Sequence, residues 1–232
     1  MEIDGPGGGR WIEVAPDRLA RWLESFAQRH GGATADPGPA TVTFRAADGA
    51  VAECHVPFPP LANGDTQGSG SAPGGDDTAR YGELITAHAH ADRTVGVFLV
   101  RLGGYAAGVF RGSPPQLTAS KVGSRLVHGR SAAGGTSQHR FARRREKQAA
   151  EAMGAAADTA VAVFAPYAGR MDAVVLGGDR RAMAQLRDDP RLAPYFGVAV
   201  GRFLTVPDPR LTVLRGTPRL FLAIRIRLTG PA

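Results

Sequence analysis

The chain has 232 residues, of which 43% are hydrophobic, 7% aromatic and 21% charged, so it can bury an ordinary core and is not a disordered chain. It has no run of roughly eighteen apolar residues, no apolar segment near Met1 and one cysteine, Cys54, so we expect a cytosolic protein with no transmembrane helix, secretory signal or internal disulfide. Its net charge of +7 lies entirely within residues 121–148, which favours a nucleic-acid partner and leaves the remaining chain neutral.

Residues 1–56 are predicted to form a small module of a helix and a hairpin. Pro16 begins the helix, whose apolar face at spacings of three and four contains Leu19, Trp22, Leu23 and Phe26. Val42 and Phe44 then pair with Val51 across an Asp-Gly turn. A module this small is marginal alone, so we expect it to pack on the larger, C-terminal part of the chain.

A linker and a larger domain come after this module. Residues 57–80 are predicted to form a flexible linker or loop, because Gly, Pro, Ser and Asp dominate them. Residues 81–232 are predicted to form the second domain. Its first elements are a hairpin of residues 94–101 with residues 105–112, and a third strand at 116–122.

The second half of this domain is predicted to alternate helices with strands. A long helix runs from Gln138 to just before Pro166, and strands are predicted at 172–178 and 198–206 with a helix between them. In the tail, residues 219–228, leucine or isoleucine at every second position alternates with a set that contains three arginines, which predicts an edge strand with one solvated face. The fold class is therefore α/β, a mixed sheet with flanking helices.

Three further features have simple structural interpretations. His88, His90 and Asp92 alternate like metal ligands, but without an obvious fourth ligand we expect an exposed loop and no metal. Residues 177–179, Gly-Gly-Asp, lie where α/β folds can bind anions, although an Asp helix cap is the simpler interpretation. Cys54 is expected to be a half-buried strand residue and not a nucleophile.

The segment 128–148 is the strongest candidate for a functional site. Gly134 and Gly135 allow close approach to a crowded ligand, and Ser137 can cap a helix whose first amides would face an anion. The basic residues in and just before this segment are Lys121, Arg125, Arg130, Arg140, Arg143, Arg144, Arg145 and Lys147. Several of them stand three or four apart and would form one basic helical face, although a surface loop and a solvated helix share this pattern.

Residues 134–148, GGTSQHRFARRREKQ, resemble the Gly-Gly-Gln loop and arginine-rich helix of the eukaryotic and archaeal class-1 peptide release factors. They resemble more closely the Vms-like release factors (the VLRF family), in particular the actinobacterial branch, where two residues separate Gly from Gln, here Gly135 and Gln138. The resemblance implies the RNase-H-like fold of the release-factor middle domain from about residue 81 onward. Because neither a stop-codon-reading domain nor a P-loop is visible, the implied activity is independent of codon and of nucleotide hydrolysis.

By this resemblance, Gln138, with Gly134 and Gly135, would enter the peptidyl-transferase centre and position water against the ester of peptidyl-tRNA. The basic residues would hold ribosomal RNA or the tRNA acceptor end. The implied function is a codon-independent peptidyl-tRNA hydrolase that acts as a monomer on stalled large ribosomal subunits in ribosome-associated quality control, with no cofactor. Two other functions stay open, namely nucleolytic removal of the tRNA 3′ CCA end and non-catalytic binding of ribosome or tRNA.

Overall fold

The computed structural model describes residues 3–4, 9–61, 76–101, 103–124 and 138–231, with no side-chain description for residues 3–4, 76–77 and 138–146. The chain forms two compact units. Unit 1 comprises Met1–Ala91 together with Arg219–Ala232, and unit 2 comprises Asp92–Pro218. Each unit has its own β-sheet with helices beside it, which confirms the predicted mixed α/β class.

Regular elements occur throughout the described ranges. In chain order the strands are β1 (Ile3–Asp4), β2 (Arg10–Val14), β3 (Ala33–Pro37), β4 (Thr41–Ala46), β5 (Val51–His55), β6 (Thr94–Arg101), β7 (Gly104–Arg111), β8 (Gln116–Ser124), β9 (Ala173–Gly178), β10 (Ala199–Leu204) and β11 (Ile224–Thr229). The α-helices are α1 (Pro16–Arg29), α2 (Asp76–Ala89), α3 (Gln138–Phe164), α4 (Arg180–Leu186), α5 (Ala193–Gly197), α6 (Leu211–Arg215) and α7 (Pro218–Phe221). The predicted first helix, both hairpins, the long helix and the strand–helix–strand run after it are confirmed.

The sheet of unit 1 is antiparallel and has the strand order β1-β2-β11-β5-β4-β3. The tail strand β11 pairs with β2 on one side and with β5 on the other, so its prediction as an edge strand is wrong. Its alternation was interpreted correctly: Ile224 and Ile226 are buried, and Arg225 and Arg227 lie on the opposite face. Alternation shows that one face is buried, but it does not show how many neighbours a strand has.

Two helices cover one face of this sheet. The core residues that they and the sheet contribute include Leu19, Leu23, Phe26, Val42, Phe44, Cys54, Tyr81, Ile85, Ile224 and Ile226. The helices α1 and α2 approach closely at Gly82, where a Cβ would lie 3.1 Å from Leu23 Cδ1 and 3.5 Å from Ala20 Cα. A larger residue at position 82 would therefore require the Leu23 side chain to shift by a few tenths of an ångström.

The domain boundaries of the structure differ from those inferred from composition. Within the predicted linker 57–80, Phe58 and Leu61 are buried in unit 1 and α2 begins at Asp76. His88, predicted in an exposed loop, instead lies at the end of α2, where it is buried and its Nε2 hydrogen-bonds the Phe58 carbonyl at 3.0 Å. The loop prediction for His88 is therefore wrong, because the glycine-rich composition obscured the helix that comes after it.

Cys54 provides a test of the core of unit 1. Its side chain is fully buried on β5, more than predicted, and desolvation raises the pKa of the thiol. We expect a thiol reagent such as Ellman's reagent to label the native protein at least about a thousandfold more slowly than the protein in concentrated guanidinium chloride, because labelling requires unfolding. Rapid labelling of the native protein would contradict this burial.

The sheet of unit 2 has the order β10-β9-β6-β7-β8. Strands β10, β9 and β6 are parallel, whereas β7 and β8 are added as an antiparallel meander. Both β6 and β7 carry six consecutive buried residues, so both faces of the sheet centre are covered. Helix α3 packs on the face that carries Ala107 and Val109, and Leu214 of α6 lies against Gly108 on the opposite face.

Candidate functional site

The residues predicted to form the site lie on and between two neighbouring elements of unit 2. Strand β8 ends at Ser124 and helix α3 begins at Gln138. Gly134, Gly135, Arg125 and Arg130 fall in the segment between them, which is outside the described residues. Gln138 is the first residue of α3, and the remaining basic candidates occupy its first three turns or β8. These are Arg140, Arg143, Arg144, Arg145 and Lys147 on α3, and Lys121 on β8.

The second half of α3 is anchored in the core of unit 2. Its buried residues are Ala152, Ala156, Ala157, Thr159, Ala160, Val163 and Phe164. The row of alanines lets the helix lie close to β7, and Phe164 fixes its end through ring contacts with Phe98 at 6.4 Å and Tyr195 at 5.1 Å. Asp158, on the outer side, receives a 2.7 Å hydrogen bond from Arg191 Nη1.

This anchoring makes α3 a long support for its N-terminal end. Ala152 is the first buried residue of α3 among those whose side chains are described. Gln138 precedes it by fourteen residues, or about 20 Å along the helix axis at 1.5 Å per residue. Lys147, within this first half, is exposed. A 27-residue helix fixed at one end can hold its other end in a defined direction.

Strand β8 leads into the segment 125–137 from its N-terminal side. It is the edge strand of the sheet, and Lys121 and Val122 are both exposed on it. Near its end, the strand carries Gly123, and a Cβ at this position would overlap the ring of Tyr105. The aromatic ring therefore lies directly over the strand where the chain leaves the sheet.

Two of the basic candidates, Lys121 and Lys147, have side chains that the structure describes. No described side chain forms an ion pair with Lys121 or Lys147. At the end of β9, by contrast, the amides at the start of α4 are used internally: Asp179 Oδ1 accepts hydrogen bonds from the Arg181 amide at 2.7 Å and the Ala182 amide at 3.1 Å. The helix-cap interpretation of Asp179 is thus confirmed.

The described part of the chain was searched for metal sites and membrane-spanning helices. In that part, His, Cys, Asp and Glu form no group of three or more that could hold a metal ion. No helix there combines the length and the apolar character needed to span a membrane.

A cavity of about 450 Å³ in unit 1 could not be inferred from the sequence. Its lining includes Trp22, Phe26, Arg29 and His30 of α1 and its C-terminus, Arg10 of β2 and Leu228 of β11. The spacing of four between Trp22, Phe26 and His30 indicates a row of rings along one helix face. The sequence carries no local signal that β2 and β11 lie beside that row.

Several solved structures are similar to this chain at low identity. An archaeal translation termination factor, aRF1, is 11% identical with a TM-score of 0.42 over 90% of this chain and 73% of that chain. The Vms1 mitochondrial localization core is 13% identical with a TM-score of 0.34, over 93% and 84%. Pelota of Archaeoglobus fulgidus is 11% identical with a TM-score of 0.28, over 95% and 66%. No curated protein sequence gives a significant match to the chain.

The family comparison is more specific. The model of a family described as the Actinobacteria/chloroflexi VLRF1 release factor matches residues 93–227, which is more than half of the chain. The match includes β8, α3 and the whole segment between them. It confirms the resemblance inferred from residues 134–148. The chain belongs to the Actinobacteria/chloroflexi VLRF1 release factor family, and its role is ribosome-associated release or rescue.

Proposed function

We propose that the chain is a codon-independent peptidyl-tRNA hydrolase that frees nascent chains from stalled large ribosomal subunits in the cytoplasm, acting as a monomer on ribosomal RNA and peptidyl-tRNA. The supporting observation is the position of Gln138. It is the first residue of a helix whose far end is anchored in the core of unit 2, and it follows the glycine pair Gly134-Gly135 by three residues. Such a support suits insertion of a small-residue loop into a narrow RNA cavity.

The proposed chemistry is attack of water on an ester. The water oxygen bonds to the carbonyl carbon of the peptidyl ester, and the bond to the tRNA 3′ oxygen breaks. One proton of the water ends on the 3′ oxygen and the other passes to solvent, so the products are a peptide carboxylate and a free 3′ hydroxyl. Gln138 cannot act as a base, because its amide does not titrate near neutral pH. Its side-chain carbonyl can orient the water, and its amide N–H groups can donate to the developing oxyanion. Gly134 and Gly135 would let the backbone come close enough to the ester.

The basic residues of α3 and β8 would bind RNA phosphates. A plot of log binding constant against log salt concentration has a negative slope, because each lysine–phosphate contact releases counterions. We expect Lys147→Gln and Lys121→Gln each to make this slope less steep by about 0.7–0.9. Arg215→Gln is the matched control, since Arg215 is an exposed cation of unit 2 on α6. The measurement is binding to large ribosomal subunits over a salt series. If all three variants gave the same slope, Lys121 and Lys147 would not contact RNA phosphates.

The decisive experiment for the reaction is release of labelled peptide from purified stalled large-subunit complexes, with the 3′ end of the freed tRNA sequenced in the same samples. Ester hydrolysis predicts released peptide and an intact CCA end. Peptide that carries nucleotides, with a shortened tRNA, would replace the proposal with nucleolytic cleavage. Binding without any release would replace it with a non-catalytic factor.

A further inference from the structure

A polar contact on the exposed side of α3 joins this helix to the chain that follows α4. Nη1 of Arg191 donates to Asp158 Oδ1 at 2.7 Å. The same guanidinium donates to Asp189 as a fork, from Nε to Oδ1 at 3.0 Å and from Nη2 to Oδ2 at 2.7 Å. We call these three residues the arginine bridge. It connects α3 to the 3₁₀ turn Pro190–Leu192, whose last residue is buried in the core of unit 2.

This bridge is more ordered than an ordinary surface ion pair. Asp189 Oδ1 also accepts from the Arg191 amide at 3.0 Å, so one carboxylate holds both the backbone and the side chain of Arg191. The hydrogen bond from the Arg191 side chain holds the pKa of Asp189 below its ordinary value, which keeps the carboxylate ionised at neutral pH. An isolated exposed pair contributes little, whereas a forked contact within a network of charges fixes the position of its members.

The other anchors of α3 leave one direction of movement weakly opposed. Phe164 fixes the end of the helix through its ring contacts with Phe98 and Tyr195. Alanines let the helix lie close to the sheet but form shallow ridges, so they oppose a sideways swing less than large interlocking side chains would. The buried residues that precede Phe164 on the described part of the helix are Ala152, Ala156, Ala157, Thr159, Ala160 and Val163.

The length of α3 amplifies any such swing. Asp158 precedes Phe164 by six residues, or about 9 Å at 1.5 Å per residue, and Gln138 precedes Phe164 by twenty-six, or about 39 Å. A sideways displacement of about 1 Å at Asp158 would therefore become about 4 Å at Gln138. Misplacing a reacting group by about 1 Å can already lower a rate a hundredfold. Two fixed points, Phe164 and Asp158, define the direction of the helix.

We propose that Asp158 and Arg191 are positioning residues for the release reaction, because their hydrogen bond fixes the direction of α3 and so the place of Gln138. Asp158 lies about 30 Å from Gln138 along the helix axis, so it acts through the helix and not on the substrate. This assignment rests on the proposed role of Gln138 in ester hydrolysis. The direction of the helix can also be measured without any reaction.

The first measurement is the distance distribution between two spin labels in the full-length protein, by pulsed electron paramagnetic resonance. The labels are attached through Lys147→Cys, on the first half of α3, and Arg111→Cys, at the end of β7, because both positions are exposed. Cys54 is buried and does not take up label. Asp158→Ala is expected to shift or broaden the distribution by about 2–3 Å, in proportion to the distance of Lys147 from Phe164.

Glu151→Ala is the matched control for this measurement. Glu151 is an exposed carboxylate about two turns before Asp158 on the same side of α3, and no described side chain forms an ion pair with it. Its removal should leave the distribution unchanged. Asp158→Asn should also stay close to wild type, because the amide oxygen can still accept from Arg191. An unchanged distribution in Asp158→Ala, or the same change in Asp158→Ala and Glu151→Ala, would overturn the proposal.

The second measurement is single-turnover release of labelled peptide from stalled large-subunit complexes. Asp158→Ala and Arg191→Ala should each lower the saturating rate about tenfold and change the half-saturating concentration less than about twofold. The double variant should be no slower than either single variant, since all three lack the same bond. Far-ultraviolet circular dichroism verifies that each variant is folded.

The two measurements separate the possible failures. A changed label distance with a wild-type release rate would overturn the positioning role of Asp158 and Arg191. A wild-type protein that releases no peptide would overturn the hydrolase proposal and the positioning role with it, whereas the label distances would still decide whether the arginine bridge directs α3.

Discussion

Gln138→Ala is expected to reduce the rate of peptide release from stalled large-subunit complexes by a factor of about 10²–10³. This is the usual cost of removing one group that stabilises the transition state of acyl transfer. The substitution removes the side-chain carbonyl and amide and keeps a residue that favours helix at the first position of α3. The measurement is the single-turnover rate of release at saturating protein, so that a change in affinity does not enter the result.

Gln148→Ala is the matched control for this prediction. Gln148 is ten residues further along the same helix, and its removal is expected to change the release rate by less than about twofold. Sedimentation with large subunits should be the same for wild type and for both variants. If Gln138→Ala released peptide at the wild-type rate, Gln138 would have no part in the reaction, and the water would have to be held by other groups.

Gly178→Ala is expected to lower the free energy of unfolding of unit 2 by about 3–5 kcal/mol. Gly178 ends β9 with φ of +101°, where side chains are strained, and an added Cβ would collide with the Val100 carbonyl oxygen and lie 2.8 Å from its carbon. The backbone cannot retreat easily, because the Asp179 amide donates to that same oxygen at 2.7 Å. Far-ultraviolet circular dichroism in urea measures the loss, since both tryptophans report on unit 1.

Gly154→Ala serves as the control for Gly178→Ala. Gly154 lies inside α3 with no atom within 4 Å of an added Cβ. The substitution should therefore raise the stability of unit 2 by about 0.5–1 kcal/mol, because alanine loses less backbone entropy in a helix. Destabilisation of similar size in both variants would mean that the effect at Gly178 does not come from its positive φ and the Val100 carbonyl.

The sequence allowed most of unit 2 to be predicted because its elements carry strong local signals. The runs of buried residues in β6 and β7 stand on either side of a two-glycine turn, and the apolar face of α3 ends where Pro166 follows. Each pattern is complete within one element, so it needs no knowledge of distant residues. The basic candidates were placed on α3 for the same reason.

Unit 1 was harder to predict because its organisation depends on distant pairs. The sequence near β11 records a half-buried strand, but its neighbours β2 and β5 are contributed by residues about 170 to 215 positions earlier. Helix α2 was missed because a glycine-rich segment runs into it and Gly82 interrupts its pattern. The cavity was missed because its lining combines Trp22 and Phe26 of α1 with Arg10 and Leu228, which come together only when β2 pairs with β11.

The place of β11 in the sheet of unit 1 also sets the order in which the protein can fold during its own synthesis. All of Asp92–Pro218 is made before Ile224–Thr229, so unit 2 has every strand of its sheet while unit 1 still lacks an interior one. Until β11 arrives, β2 and β5 each present an unpaired edge. Unit 1, whose first strands are made early, is thus the last to reach its native structure. Its sheet forms only when β11 pairs with the distant strands β2 and β5, and such long-range pairing slows folding.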